Sequence, residues 1–200
     1  MSRNSRTSRI VDKILTANAA YAAEFGAQAQ LGLPPTCEFL ILTCMDCRMD
    51  PAKFAGLVEG DAHVIRNAGG RATDDVIRSM VLSHKLMGTR EWFVIHHTQC
   101  GLQFVTDEQI ADLLAGSLDT AEQTPEGFRN TSEPGGSVEG RYMRWMTIPD
   151  QTRAVIDDVS RIRHHPLVNP AVPIHGYIYD VKTGRLTEVA EATAIGRARD

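Results

Sequence analysis

Cysteine is scarce in this 200-residue chain. The four present, Cys37, Cys44, Cys47 and Cys100, are too few and too unevenly placed to staple a small secreted fold. Long apolar runs are missing too: no stretch reaches the about eighteen residues that a membrane helix needs. Net charge is slight, −4 from 21 basic and 25 acidic residues, so no global positive field draws the chain to nucleic acid or anionic lipid. The basic start through Arg9 has no apolar stretch behind it and is expected to be a solvated, frayed tail, not a secretory signal. What is present suits a globular fold with a real core, 42% hydrophobic and 23% charged. The length fits one domain, 1–200, with room for a long insertion. The expected compartment is the cytoplasm, where thiols stay reduced.

Periodicity sets the organisation. Ile10, Ile14, Ala17, Tyr21 and Phe25 recur at helical steps, predicting an amphipathic helix from Ser8 to about Gln28 within an N-terminal helical arm, 1–30. The apolar face of that arm is expected to pack on a partner subunit. Glu38–Thr43 reads as a buried strand ending at Cys44, and Asp50-Pro51 as the cap and first turn of a short helix. His63–Arg66 reads as a second strand closed by Asn67-Ala-Gly-Gly70. Thr73 then caps a helix from Asp74 to Met87, with Gly88 at its end. Glu91–Ile95 is a third strand, so the order is that of parallel crossovers and the class is α/β: a mainly parallel central sheet flanked by helices.

Thr106-Asp-Glu-Gln109 is a capping box that opens a helix to about Leu118. The chain is polar and rich in Gly, Pro and Ser from Asp119 to Gly140. That stretch reads as a loop insertion, 119–140, on the surface, or as a subunit contact or lid. A last helix is expected from about Pro149 to Arg163, and two strands flank the turn Lys182-Thr-Gly184.

Two strands end in metal-competent sequence, at the carboxyl edge where open α/β sheets hold ligands. One end supplies Cys44, Asp46, Cys47 and Arg48, the other His96, His97 and Cys100. A thiolate from one and a His-x-x-Cys pair from the other can converge on zinc and leave a fourth position for water. Arg48 is placed to hold the Asp46 carboxylate bidentately and keep it off a metal. Two other readings of these residues stay open: a redox pair in Cys44-x-x-Cys47, and a structural zinc module using Cys44, Cys47, His97 and Cys100. His96 should project away from His97 if strand geometry persists, as a hydrogen-bonded core imidazole. Cys37 and Cys47 are expected to be packing residues.

Cys44-x-Asp46-x-Arg48, followed about fifty residues later by His97-x-x-Cys100-Gly101, with Val64-Ile-Arg-Asn-Ala-Gly69 between, resembles the β-class carbonic anhydrases. The resemblance is close over Phe39 to Gly101. It implies one zinc per subunit held by Cys44, His97 and Cys100, catalytic roles for Asp46 and Arg48, homodimers or homotetramers, and a small linear neutral substrate. The short Ala68–Asp75 turn and the long segment after the zinc loop resemble the short branch of the family, to which carbonyl sulfide hydrolase belongs. That branch implies hydrolysis of carbonyl sulfide to hydrogen sulfide and carbon dioxide by attack of zinc-bound hydroxide; the alternative is hydration of carbon dioxide.

Overall fold

The structure, a computed structural model, describes residues 3–133 and 135–199, with backbone alone for 3–8. It divides into two compact units, one through Leu33 and one from Pro34 onward. The first is built on helix α1, Arg3–Ala23. It starts earlier than the periodicity predicts, so the expected tail is helical from Arg3; Met1 and Ser2 lie outside the described residues. It also stops sooner, because Gly26 takes a left-handed φ of 46° and the chain tightens into a 3₁₀ turn, Gly26–Gln30. Ile10, Ile14 and Leu15 are exposed within this unit.

The second unit is organised by a five-stranded sheet. Its strands are β1 (Phe39–Cys44), β2 (Ala62–Asn67), β3 (Glu91–His97), β6 (Ile174–Tyr179) and β7 (Leu186–Glu188), in the order β2-β1-β3-β6-β7. The first four are parallel and β7 closes the edge antiparallel through the expected turn at Lys182–Gly184. Alternation along β1 and β3 splits the core into two layers. Leu40, Leu42, Trp92 and Val94 face α3 (Asp74–Met87) and α5 (Gln151–Arg163), while Ile41 and Ile95 join Met49, Ile148 and both buried cysteines on the other side. α3 has the expected Thr73 cap and ends at Gly88, whose φ is 77°. α2 (Pro51–Ala55) begins at the Asp50 cap, as proline at the first position favours.

Three segments differ from expectation. α4 spans Asp107–Gly116 with its capping box intact, but ends short of Leu118. The insertion is not an irregular loop: it carries a hairpin of β4 (Glu122–Thr124) and β5 (Gly127–Arg129). Its strands are too short for alternation to show, and Pro134 lies outside the described residues. A sixth helix, α6 (Ala190–Ile195), follows the last strand. With six residues its apolar period is invisible in sequence, and Ala192 inserts it against Gly176, where a Cβ would lie 2.5 Å from the alanine methyl. Among the described residues no helix is long and apolar enough to cross a membrane.

Candidate metal centre

Because β2, β1 and β3 are parallel neighbours, their carboxyl ends lie side by side, with Cys44 opposite Asn67 and Thr43 opposite Ile95. Cys44 ends β1, His97 ends β3, and Cys100 follows after a tight return in which Gln99 takes a left-handed φ of 56°. That strained residue is held from outside, since Arg48 Nη2 donates to its carbonyl at 2.8 Å. The ligand atoms of Cys44, His97 and Cys100 lie within 4.8 Å of one another. They are 5%, 0% and 2% exposed.

The imidazole is set for a ligand. His97 Nδ1 donates to the Thr98 carbonyl at 2.9 Å, which leaves the lone pair on Nε2. Nε2 is buried without a hydrogen-bond partner, 3.7 Å from Asp46 Oδ2. The Gln151 amide donates to the His97 backbone carbonyl and fixes the strand end. Hydrogen bonding from Cys100 lowers Cys44 from 9.0 to about 4, helped by His97 and the backbone N–H groups of Asp46 and Gly69 against the effect of burial. The same bond, with burial, pushes Cys100 well up. Binding of a thiophilic dication would displace the thiol protons of such a pair. An orphaned imidazole nitrogen beside two thiols fits zinc, whose usual donors are these.

Asp46 sits at the rim of the group. Arg48 grips it through Nε to Oδ1 at 2.9 Å and Nη2 to Oδ2 at 2.6 Å, and the Arg48 backbone N–H donates to Oδ1 at 2.9 Å. That guanidinium lowers the carboxyl from 3.8 to about 2. The expected bidentate pair is therefore in place. Cys47 is exposed and outside the three-residue group, so no four-ligand module forms. Cys37 is exposed too. Neither packs, contrary to expectation, because each lies on a loop beside a strand and not within it.

Arg66 and the Arg71–Asp158 pair escaped the sequence reading, which did single out the Gly69-Gly70 turn. Arg66, at the end of β2, donates to the Cys44 carbonyl at 3.0 Å and the Asp46 carbonyl at 2.7 Å, pinning the ligand loop. Its signal was a cation at the carboxyl end of a strand. Gly69 and Gly70 take φ of 79° and 68°; a Cβ on Gly70 would lie 2.9 Å from the Thr43 carbonyl carbon and one on Gly69 2.8 Å from Leu102. Only glycine permits that close approach beneath Cys44. On the opposite sheet face, His96 Nε2 lies 3.0 Å from Asp158 Oδ2, which Arg71 Nε meets at 2.8 Å. His96 thus projects away from His97, as strand alternation predicts.

The donor group opens on a cavity of about 770 Å³ lined on one side by Asp46 and Arg48 and on the other by Leu102, Phe104 and Phe128. The chain is similar to known proteins. The carbonic anhydrase family model matches residues 39–186. The chain belongs to the β-carbonic anhydrase family. It is 37% identical over 180 residues to β-carbonic anhydrase 1 of Mycobacterium tuberculosis, covering 90% of this chain and 98% of that one. It is 35% identical over 160 residues to carbon disulfide hydrolase of an Acidianus species, covering 78% of each. Among solved structures, carbonic anhydrase from Streptococcus mutans superposes with TM-score 0.76 at 38% identity, over 90% of this chain and 96% of that one. Cys47 is exposed and does not join Cys44 in the donor group.

Proposed function

We propose that this β-carbonic anhydrase relative is a zinc-dependent enzyme that adds water to the central carbon of small, linear, neutral molecules, and that it takes carbonyl sulfide in preference to carbon dioxide. The observation that carries the reading is the buried Cys44, His97 and Cys100 group, with its orphaned Nε2 beside Asp46 at a mainly apolar cavity. These three residues would hold the zinc, leaving a fourth position open. When bound, zinc acidifies a coordinated water and so supplies the nucleophile.

The remaining work falls to this chain's own side chains. Asp46, kept ionised by Arg48, accepts a hydrogen bond from an O–H group at the mouth of the donor group and orients it toward substrate. Arg48 spends its donors on Asp46 and the Gln99 carbonyl, so the carboxylate does not swing onto the metal position. Leu102 and Phe104 give an uncharged substrate an apolar wall. Addition of water to carbonyl sulfide yields thiocarbonate, which separates into hydrogen sulfide and carbon dioxide. Addition to carbon dioxide yields bicarbonate and a proton.

Relatives named for carbon dioxide and for carbon disulfide chemistry flank this choice, since carbonyl sulfide carries one sulfur where those substrates carry none and two. Carbon dioxide hydration is the second reading, favoured by 37% identity to the mycobacterial β-carbonic anhydrase. The test is the metal content of the purified chain and kcat/KM for both substrates on one preparation. One zinc per chain with the larger value for carbonyl sulfide supports the proposal; the larger value for carbon dioxide makes it a carbonic anhydrase. The exposed Ile10, Ile14 and Leu15 of α1 support a further proposal that the protein works as a dimer or tetramer in the cytoplasm.

A further inference from the structure

The β4–β5 hairpin brings residues from the insertion into the site. Gln123 and Phe128 are cross-strand partners, so their side chains share one face, and both line the cavity that holds the donor group. On the neighbouring pair of the ladder, Arg129 grips Glu122 at 2.9 Å. The hairpin does not hang free. Asn130 Nδ2 donates to the Leu113 carbonyl at 2.9 Å, Ser132 Oγ meets Ser117 Oγ at 3.1 Å, and Ser137 N donates to the Leu114 carbonyl at 2.7 Å. These contacts seat it on α4. At its turn Gly127, with φ of 128°, lies beside Phe104, where a Cβ would be in ordinary contact, 3.7 Å from the Phe104 carbonyl oxygen.

Two aromatic rings thus reach the cavity from separate segments, Phe104 just after the ligand loop and Phe128 from the hairpin. Asp46 and Arg48 form the polar side. We infer that the hairpin is the specificity wall of the site and that Phe128 is its specificity-determining residue, favouring a sulfur-containing neutral substrate over carbon dioxide. This deepens the proposed function and rests on it. Sulfur is larger and more polarisable than oxygen, so it gains more dispersion contact against an aromatic ring. A wall that is rigid and apolar rewards that difference and offers nothing to the smaller, harder oxygen. Gln123, beside Phe128, gives the wall its polar edge.

The experiment uses the full-length zinc enzyme with Phe128→Ala and Phe128→Leu. The ratio of kcat/KM for carbonyl sulfide to that for carbon dioxide should fall roughly tenfold in Phe128→Ala and less in Phe128→Leu, with the loss mainly in KM for carbonyl sulfide. A ratio equal to wild type overturns the inference, whether both activities drop together or neither changes. A second readout is independent of turnover. Both Cys47 and Cys37 are exposed, but Cys47 lines the same cavity and Cys37 does not. A bulky maleimide should modify Cys47 several-fold faster in Phe128→Ala, with Cys37 as internal standard, and equal rates overturn the wall. Were wild-type enzyme to act on neither substrate, the proposed function would fall while the labelling still decided where the hairpin lies.

Discussion

His96 and His97 are consecutive, equally buried and on one strand, yet they live in opposite chemical worlds. His96 faces α5, where the Asp158 carboxylate takes up its Nε2 and is itself paired with Arg71. His97 faces the carboxyl edge, where its Nε2 meets two sulfurs and no hydrogen-bond partner. One imidazole is tied through Nε2 to an ion pair that joins a helix to the sheet, its Nδ1 buried without a partner. The other turns its unpartnered Nε2 toward two sulfurs. The pleat of a strand alone separates structural from chemical use, so the type of residue says little until its face is known.

The sharpest way to break that contrast is at the donors. His97→Ala and Cys100→Ala should each lose bound zinc and with it all measurable turnover, whereas Cys47→Ala should keep its metal; elemental analysis of the folded proteins checks both. Asp46→Ala should retain zinc and lose roughly 10²–10³-fold in kcat, because the interaction acts at the reacting centre. Steady-state kinetics at saturating substrate measures this, and a wild-type kcat would remove Asp46 from the mechanism.

On the other face, Asp158→Ala should cost about 3–5 kcal/mol of stability by leaving Arg71 buried and unpaired. Denaturant unfolding reads that loss, and the zinc content of the folded fraction should be unchanged. The smallest effect is one of acidity. The Asp46 carboxyl lies at about 2 when folded against 3.8 ordinarily, so its pairing with Arg48 stabilises the fold above pH 3.8 and is lost as pH falls toward 2. Acid unfolding curves of wild type and Asp46→Ala should therefore differ above that window and merge below it.

Much of the sheet was legible because its strands are buried runs punctuated by caps. Thr73 and Gly88 bounded α3, and Thr106 and Gln109 opened α4, by local hydrogen-bond chemistry that needs no tertiary context. The trio Cys44, His97 and Cys100 could be read from spacing and from the strands that end there. What escaped depends on contacts distant in sequence. Arg66 matters for the carbonyls of a neighbouring strand's loop, Asp158 and Arg71 meet across two layers, and the hairpin owes its place to α4. Cys37 and Cys47 misled because a small thiol in sequence carries no mark of which side of a loop it occupies.

The parallel topology also dictates when the metal can arrive. Cys44 and His97 stand about fifty positions apart and meet only once β1 and β3 have paired across that loop. Before then the chain offers a metal only the separate Cys44-x-x-Cys47 and His97-x-x-Cys100 fragments. The hydrophobic layer on the α3–α5 side contains none of the three donors, whereas Cys44 and Cys100 are part of the layer on the other side. In zinc fingers the order is reversed, and the ion organises a chain that is unfolded without it. The fold thus separates two events in time: the sheet must pair before Cys44, His97 and Cys100 stand close enough to act as one donor group.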